Sequence, residues 1–156
     1  MIILFNIESH HIDSSKYSNL LHDRIVRDLE CKIADYVNAK YSVSLNSASS
    51  CLFLCMLNKD VVVNIPSMIP PVVVNAIINS GNKYKFKDNV KWVGDSYIFH
   101  DFGEYKIVDS AQKITKDQFK NECSSDDLMI FSFYPTKPIG GIDGGMIVSN
   151  DKNKIE

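Results

Sequence analysis

The sequence predicts an α/β fold built on a largely parallel sheet. Three observations predict it. Apolar residues recur at helical spacing near the start of the chain, apolar and β-branched runs of strand length follow, and the two kinds of segment alternate. Alternating strands and helices are the pattern of crossovers that set strands parallel. The composition agrees: 156 residues, 45% hydrophobic and 23% charged, are those of a globular domain able to bury a core, not of a disordered chain. Residues 1–156 read as one domain.

The elements follow in order. From Ser18 to Ala39, residues Leu21, Ile25, Leu29, Ile33 and Val37 stand four apart and form one stripe of an amphipathic helix. Tyr41–Leu45 alternates as a strand, and the small, apolar Ser47–Leu57 reads as a buried helix. Val61–Ile65 is a continuous run of the kind found in strands buried on both faces. Pro70 and Pro71 open a helix that runs to Asn79, with Gly81 after its end. Short strands are expected near Lys83–Phe86, Val90–Val93 and Tyr97–Phe99. Lys106–Val108 and Leu128–Phe133 follow, and Met146–Val148 comes after the turn-rich Gly140–Gly145. There is no internal repeat and no low-complexity tract.

Charge and targeting signals narrow the function classes. Seventeen Lys and Arg against nineteen Asp and Glu leave a net charge of −2, which carries no electrostatic footprint for nucleic acid or an anionic membrane. The opening MIILFNIESHHID lacks a basic leader and a small-residue cleavage site, and Val61–Ile65 is too short to span a bilayer. Cys31, Cys51, Cys55 and Cys123 include no CxxC pair and read as buried, reduced thiols. His10 and His11 read as surface residues, so no metal site is expected. These features together predict a cytoplasmic protein.

Three polar segments follow predicted strands, where ligands of open parallel sheets bind. Asn46-Ser47-Ala48-Ser49-Ser50 stands at a helix start, where backbone N–H groups and the helix dipole favour a phosphate; the same residue types also serve as ordinary caps. Asp109, in Asp109-Ser110-Ala111-Gln112, is placed to hold a protonated ring nitrogen or to cap the next helix. Lys137 lies between two prolines in Tyr134-Pro135-Thr136-Lys137-Pro138, ahead of Gly140-Gly141; an exposed lysine there is a solvated charge, a semi-buried one an amine able to attack a carbonyl. A lysine, a carboxylate and a phosphate cradle, each at the C-terminal end of a predicted strand, are together the requirements of pyridoxal phosphate.

At this point the chain resembles a known family, the DegT/DnrJ/EryC1/StrS sugar aminotransferases, which are fold-type I pyridoxal-phosphate enzymes. The likeness runs from about Asp28 to Asp151. Leu29–Val43 is similar to the family's helix and first strand, and Asn46–Ser50 stands where the family has Ser-Gly-Thr-Ala-Ala. Val61–Ser67 resembles its V-x-x-P-S strand and loop, and Val108–Gln112 its E-D-A-A-Q. Phe131-Ser132-Phe133-Tyr134-Pro135-Thr136-Lys137 is close to F-S-F-H-P-T-K, and Asp143–Asp151 to E-G-G-M-V-V-T-N-D.

The resemblance implies a three-layer fold like the large domain of those enzymes. It implies that Lys137 forms the Schiff base and moves the proton, that Asp109 pairs with the pyridinium nitrogen, and that Gln112 lies near the ring. Ala48, Ser49 and Ser132 would hold the phosphate. The implied reaction passes an amino group from glutamate to a keto group of a nucleotide-linked sugar, in a homodimer or higher oligomer. The chain departs from the pattern in four places. Ala48-Ser49 replaces Gly-Thr, and Met68-Ile69-Pro70-Pro71 lacks the aromatic residue that stacks on the ring. The stretch between Gly81 and Lys106 is shorter, and Glu156 is reached without the family's C-terminal small domain. The expected protein is therefore a truncated, compact aminotransferase; the alternative is a non-catalytic homologue serving as a cofactor-binding or interaction module.

Overall fold

The computed structural model describes residues 13, 15, 23–88 and 90–156. Helix α1, Arg24–Val37, starts where the Asp23 side chain accepts from the Ile25 N–H at 3.2 Å and stops at Asn38, whose φ of 62° turns the backbone left-handed. The helix expected from Ser18 is thus seen from Arg24; Ser18–His22 lie outside the described residues, as do His10 and His11. Among the described residues of its stripe Ile33 and Val37 are buried, whereas Ile25 and Leu29 are 46% and 40% exposed; Leu21 lies outside them.

Strand β1 (Tyr41–Leu45) leads to α2 (Ala48–Met56), β2 (Val62–Ile65), α3 (Pro71–Asn79) and β3 (Lys83–Phe86). Then come β4 (Tyr97–Asp101), β5 (Lys106–Asp109), α4 (Gln118–Glu122), β6 (Leu128–Ser132) and β7 (Gly145–Ser149). The main sheet has the order β1-β7-β6-β5-β4, and β2 and β3 pair separately. Side chains alternate across the sheet and build two cores. Ile107, Leu128, Ile130 and Ile147 face Leu52 and Met56 of α2 and Val73 and Ile77 of α3. Val108, Met129, Phe131, Met146 and Val148 face Ile33 and Val37 of α1 and Phe119 of α4. Helices, sheet and helices make three layers, as expected.

The α/β class holds, but the strands are mixed rather than largely parallel. In the main sheet only β5 and β6 run parallel, joined through α4; β4–β5, β6–β7 and β1–β7 are antiparallel. Connection length decides this for β4 and β5. Phe102–Tyr105, closed by the Phe102 N–H on the Tyr105 carbonyl at 3.0 Å, is too short for a crossover, which takes a dozen residues or more. The loop between β6 and β7 contains no helix and folds straight back. Two smaller expectations fail. Val90–Val93 is irregular and enters a turn, and β2 is buried on one face only, with Val62 41% exposed. Its β-branched run reflects strand propensity at the edge of a two-stranded sheet, not two-sided burial.

Candidate active site

The register brings the polar segments together. Leu45 at the end of β1 and Ser132 at the end of β6 both pair with Gly145. Asp109 at the end of β5 lies beside β6, and Tyr97 at the start of β4 pairs with Asp109. A cavity of about 500 Å³ opens along this edge. Ala48, Ser49, Asp109, Gln112, Ser132 and Lys137, which three separate chain segments supply, all line it.

Asp109 is the buried acid of the cavity, 6% exposed. Its Oδ1 accepts from the Ala111 N–H at 2.9 Å and its Oδ2 from the Tyr97 hydroxyl at 3.1 Å. No helix begins beside it, so it is not a cap. Burial pushes its carboxyl above the usual range, while the two donors and the charge of Lys137 pull the other way. A cation entering the cavity would complete this set. Tyr97 is buried with it, and burial next to the Asp109 charge raises its phenol far above the ordinary value, so it remains a donor.

Lys137 is half-buried in a tight turn, its N–H donating to the Tyr134 carbonyl at 2.9 Å. The turn holds it at the cavity wall rather than out in solvent.

The start of α2 forms the polar end. Ser47 adopts an extended conformation, its Oγ accepts from the Ser50 N–H at 3.1 Å, and its backbone is bridged to Gly144. This corner is pressed against β7. A Cβ on Gly145 would lie 2.7 Å from the Ala48 Cα and closer still to other backbone atoms of Ser47 and Ala48. Glycine is therefore required where the cradle crosses the strand. Ser132, nearly buried, adds a hydroxyl whose Oγ accepts from the Tyr134 N–H at 3.4 Å.

Gln112 lines the cavity, but its Oε1 accepts from the Gly94 N–H at 3.3 Å, so it also ties down the loop that precedes β4. Sequence reasoning missed Tyr97 and Trp92, both cavity-lining. Neither sits in a motif; the pairing of β4 with β5 brings Tyr97 in, and the loop ahead of β4 brings in Trp92. Pro70 and Ile69 also line the wall, so the stretch without an aromatic residue does reach the cavity.

Residues 98–156 match the pattern of the DegT/DnrJ/EryC1/StrS aminotransferase family. This segment, from Ile98 to Glu156, is therefore similar to that family. Over 96% of its length it is 28% identical to UDP-4-amino-4,6-dideoxy-N-acetyl-beta-L-altrosamine transaminase of Campylobacter jejuni subsp. jejuni serotype O:23/36 (strain 81-176), of which it covers 51%. The chain thus spans about half the length of the curated relatives it matches. Its fold is similar to that of NtdA from Bacillus subtilis, solved with bound cofactor PMP: TM-score 0.66, 15% identity, 86% of this chain and 39% of the other. It is also similar to DesI, solved in the presence of its TDP-sugar product: TM-score 0.60, 16% identity, 86% and 43% coverage. At such identities the structural likeness establishes the fold. Among the described residues no helix is long and apolar enough to cross a membrane.

Proposed function

We propose that this chain holds pyridoxal 5′-phosphate and takes part in moving an amino group, with an amino acid such as glutamate as donor, to a keto group of a nucleotide-linked sugar. One observation carries the reading: Lys137, Asp109 and the start of α2 line a single cavity. The names of the relatives, a UDP-sugar transaminase and a protein solved with a TDP-sugar product, support the substrate class.

The residues fit the cofactor. Its phosphate matches the start of α2 at Ala48 and Ser49 and the Ser132 hydroxyl, a helix start being an anion site. Its ring nitrogen, when protonated, matches Asp109, the buried carboxylate that a cation would favour in ionised form. Bound there, pyridoxal phosphate supplies an electron sink for the bond-breaking step. Lys137 would supply the amine that anchors the cofactor's aldehyde and the base that moves a proton between the substrate carbon and the cofactor. Asp109 keeps the ring nitrogen protonated, Tyr97 holds Asp109 in place, and Gln112 borders the ring.

We read residues 1–156 as one cofactor-holding large domain acting in the cytoplasm as a homodimer or higher oligomer. Light scattering of the purified protein is expected to give at least twice the 17.6 kDa chain mass; a strictly monomeric species that still turns over would overturn it.

The function is tested by adding pyridoxal phosphate, reducing with borohydride and mapping the label. The expected result is one labelled peptide containing Lys137, absent in Lys137→Ala, followed by conversion of the cofactor to its amine form with glutamate. Uptake without that conversion would favour a cofactor-binding module, and no uptake would sink the reading.

A further inference from the structure

We propose that Trp92 is the surface on which the cofactor's planar ring stacks, supplied from the loop before β4 in place of an aromatic residue in Met68–Pro71. The inference rests on the pyridoxal-phosphate reading and adds a binding residue to it. Three aromatic residues line the cavity: Trp92, Tyr97 and Tyr134. The Tyr97 hydroxyl is committed to Asp109 at 3.1 Å, and Tyr134 is 52% exposed. Trp92 is half-buried, packs against the core formed by α2, α3 and the sheet, and leaves part of its surface to the cavity. On the opposite chain segment, Ile69 and Pro70 offer apolar contact but no π face.

The loop holding Trp92 is fixed rather than loose. The Asp95 N–H donates to the Trp92 carbonyl at 3.2 Å, closing a turn. Lys113 Nζ bridges Asp95 at 2.9 Å and Glu122 at 2.7 Å, and Lys91 meets Asp95 at 3.3 Å. Ser96 donates to Glu122, and Gly94 donates to Gln112. A wall ordered before the ligand arrives does not charge its ordering entropy against binding. An indole face suits an electron-poor ring with a protonated nitrogen, through stacking and cation–π attraction.

Trp92 is the single tryptophan of the chain, so it reports on itself. Apoprotein is titrated with pyridoxal phosphate while cofactor absorbance, the borohydride label on Lys137 and tryptophan fluorescence are followed together. Fluorescence is expected to fall with the same midpoint as absorbance rises. Trp92→Leu, which keeps apolar bulk, is expected to bind about tenfold more weakly, as loss of one stacking partner implies, and Trp92→Phe within about threefold of the parent. Circular dichroism checks that both variants fold. Trp92→Leu binding as tightly as the parent, or Trp92→Phe as weakly as Trp92→Leu, would overturn the inference while leaving the Lys137 label intact. Absence of absorbance change and label in the parent would overturn the cofactor reading, and this one with it.

Discussion

Asp109 opposes stability to function within one side chain. Burial raises its pKa in the folded protein, so the folded state prefers the protonated acid. The stabilising preference is complete below the ordinary carboxylate range, about pH 4, and is lost as pH rises through the raised folded value. Asp109→Asn mimics the protonated form. Apoprotein carrying it is expected to melt at a higher temperature than the parent near pH 7, with the difference vanishing near pH 4, and to bind pyridoxal phosphate poorly. Equal melting temperatures across that window would show that Asp109 is not strained by burial. Tyr97→Phe acts on the same group from the other side. It removes a donor from the charged carboxylate, at about 1 kcal/mol. The acid limb of cofactor binding is expected to move to higher pH; an unmoved limb would rule out this positioning role.

The elements show what the sequence could and could not reveal. Asp109 and Lys137 were legible because each comes at or after a strand whose apolar run announces it, and α2 because a serine cap precedes a small, apolar stretch; Ser132, inside the Leu128–Phe133 run, was marked by the family resemblance alone. Tyr97 and Trp92 were not, since a cross-strand partner such as Tyr97 is chosen by register, and the path of the loop carrying Trp92 by the tertiary contacts around it, neither of which a local pattern encodes. The same blindness explains the expected parallel sheet: the four-residue turn at Phe102–Tyr105 reverses the chain where alternation alone implied a crossover. The exposure of Ile25 and Leu29 follows likewise, because a stripe states what a helix is able to bury and not how far its partner extends. Gly145 illustrates a motif glycine whose reason appears only in the packing of β7 on α2. Gly145→Ala is expected to cost about 2–3 kcal/mol or more in urea unfolding, since backbone rather than a flexible side chain must move. A loss below about 0.5 kcal/mol would mean that the α2 start is free to shift.

At the scale of the molecule, the cavity draws its walls from α2, α3, the loop before β4, the ends of β4, β5 and β6, and the loops after β5 and β6. A ligand that binds only when these are assembled stabilises the whole by mass action. At one hundred times its dissociation constant, pyridoxal phosphate is expected to add about 2.7 kcal/mol, seen as a concentration-dependent rise in melting temperature. Lys137→Ala should blunt the rise, and a rise of equal size in that variant would detach the stabilisation from Lys137.

The pairing of β1 with β7 has a consequence for how the protein is made. Leu45 and Gly145, register partners one hundred positions apart, meet beneath the α2 start. On the ribosome, α2 emerges long before the strand that braces it. The cradle has no floor until Gly145 has cleared the exit tunnel and threaded between β1 and β6. A complete cradle therefore cannot precede the emergence of β7, and a nascent chain arrested ahead of β7 would be unable to retain a ligand there.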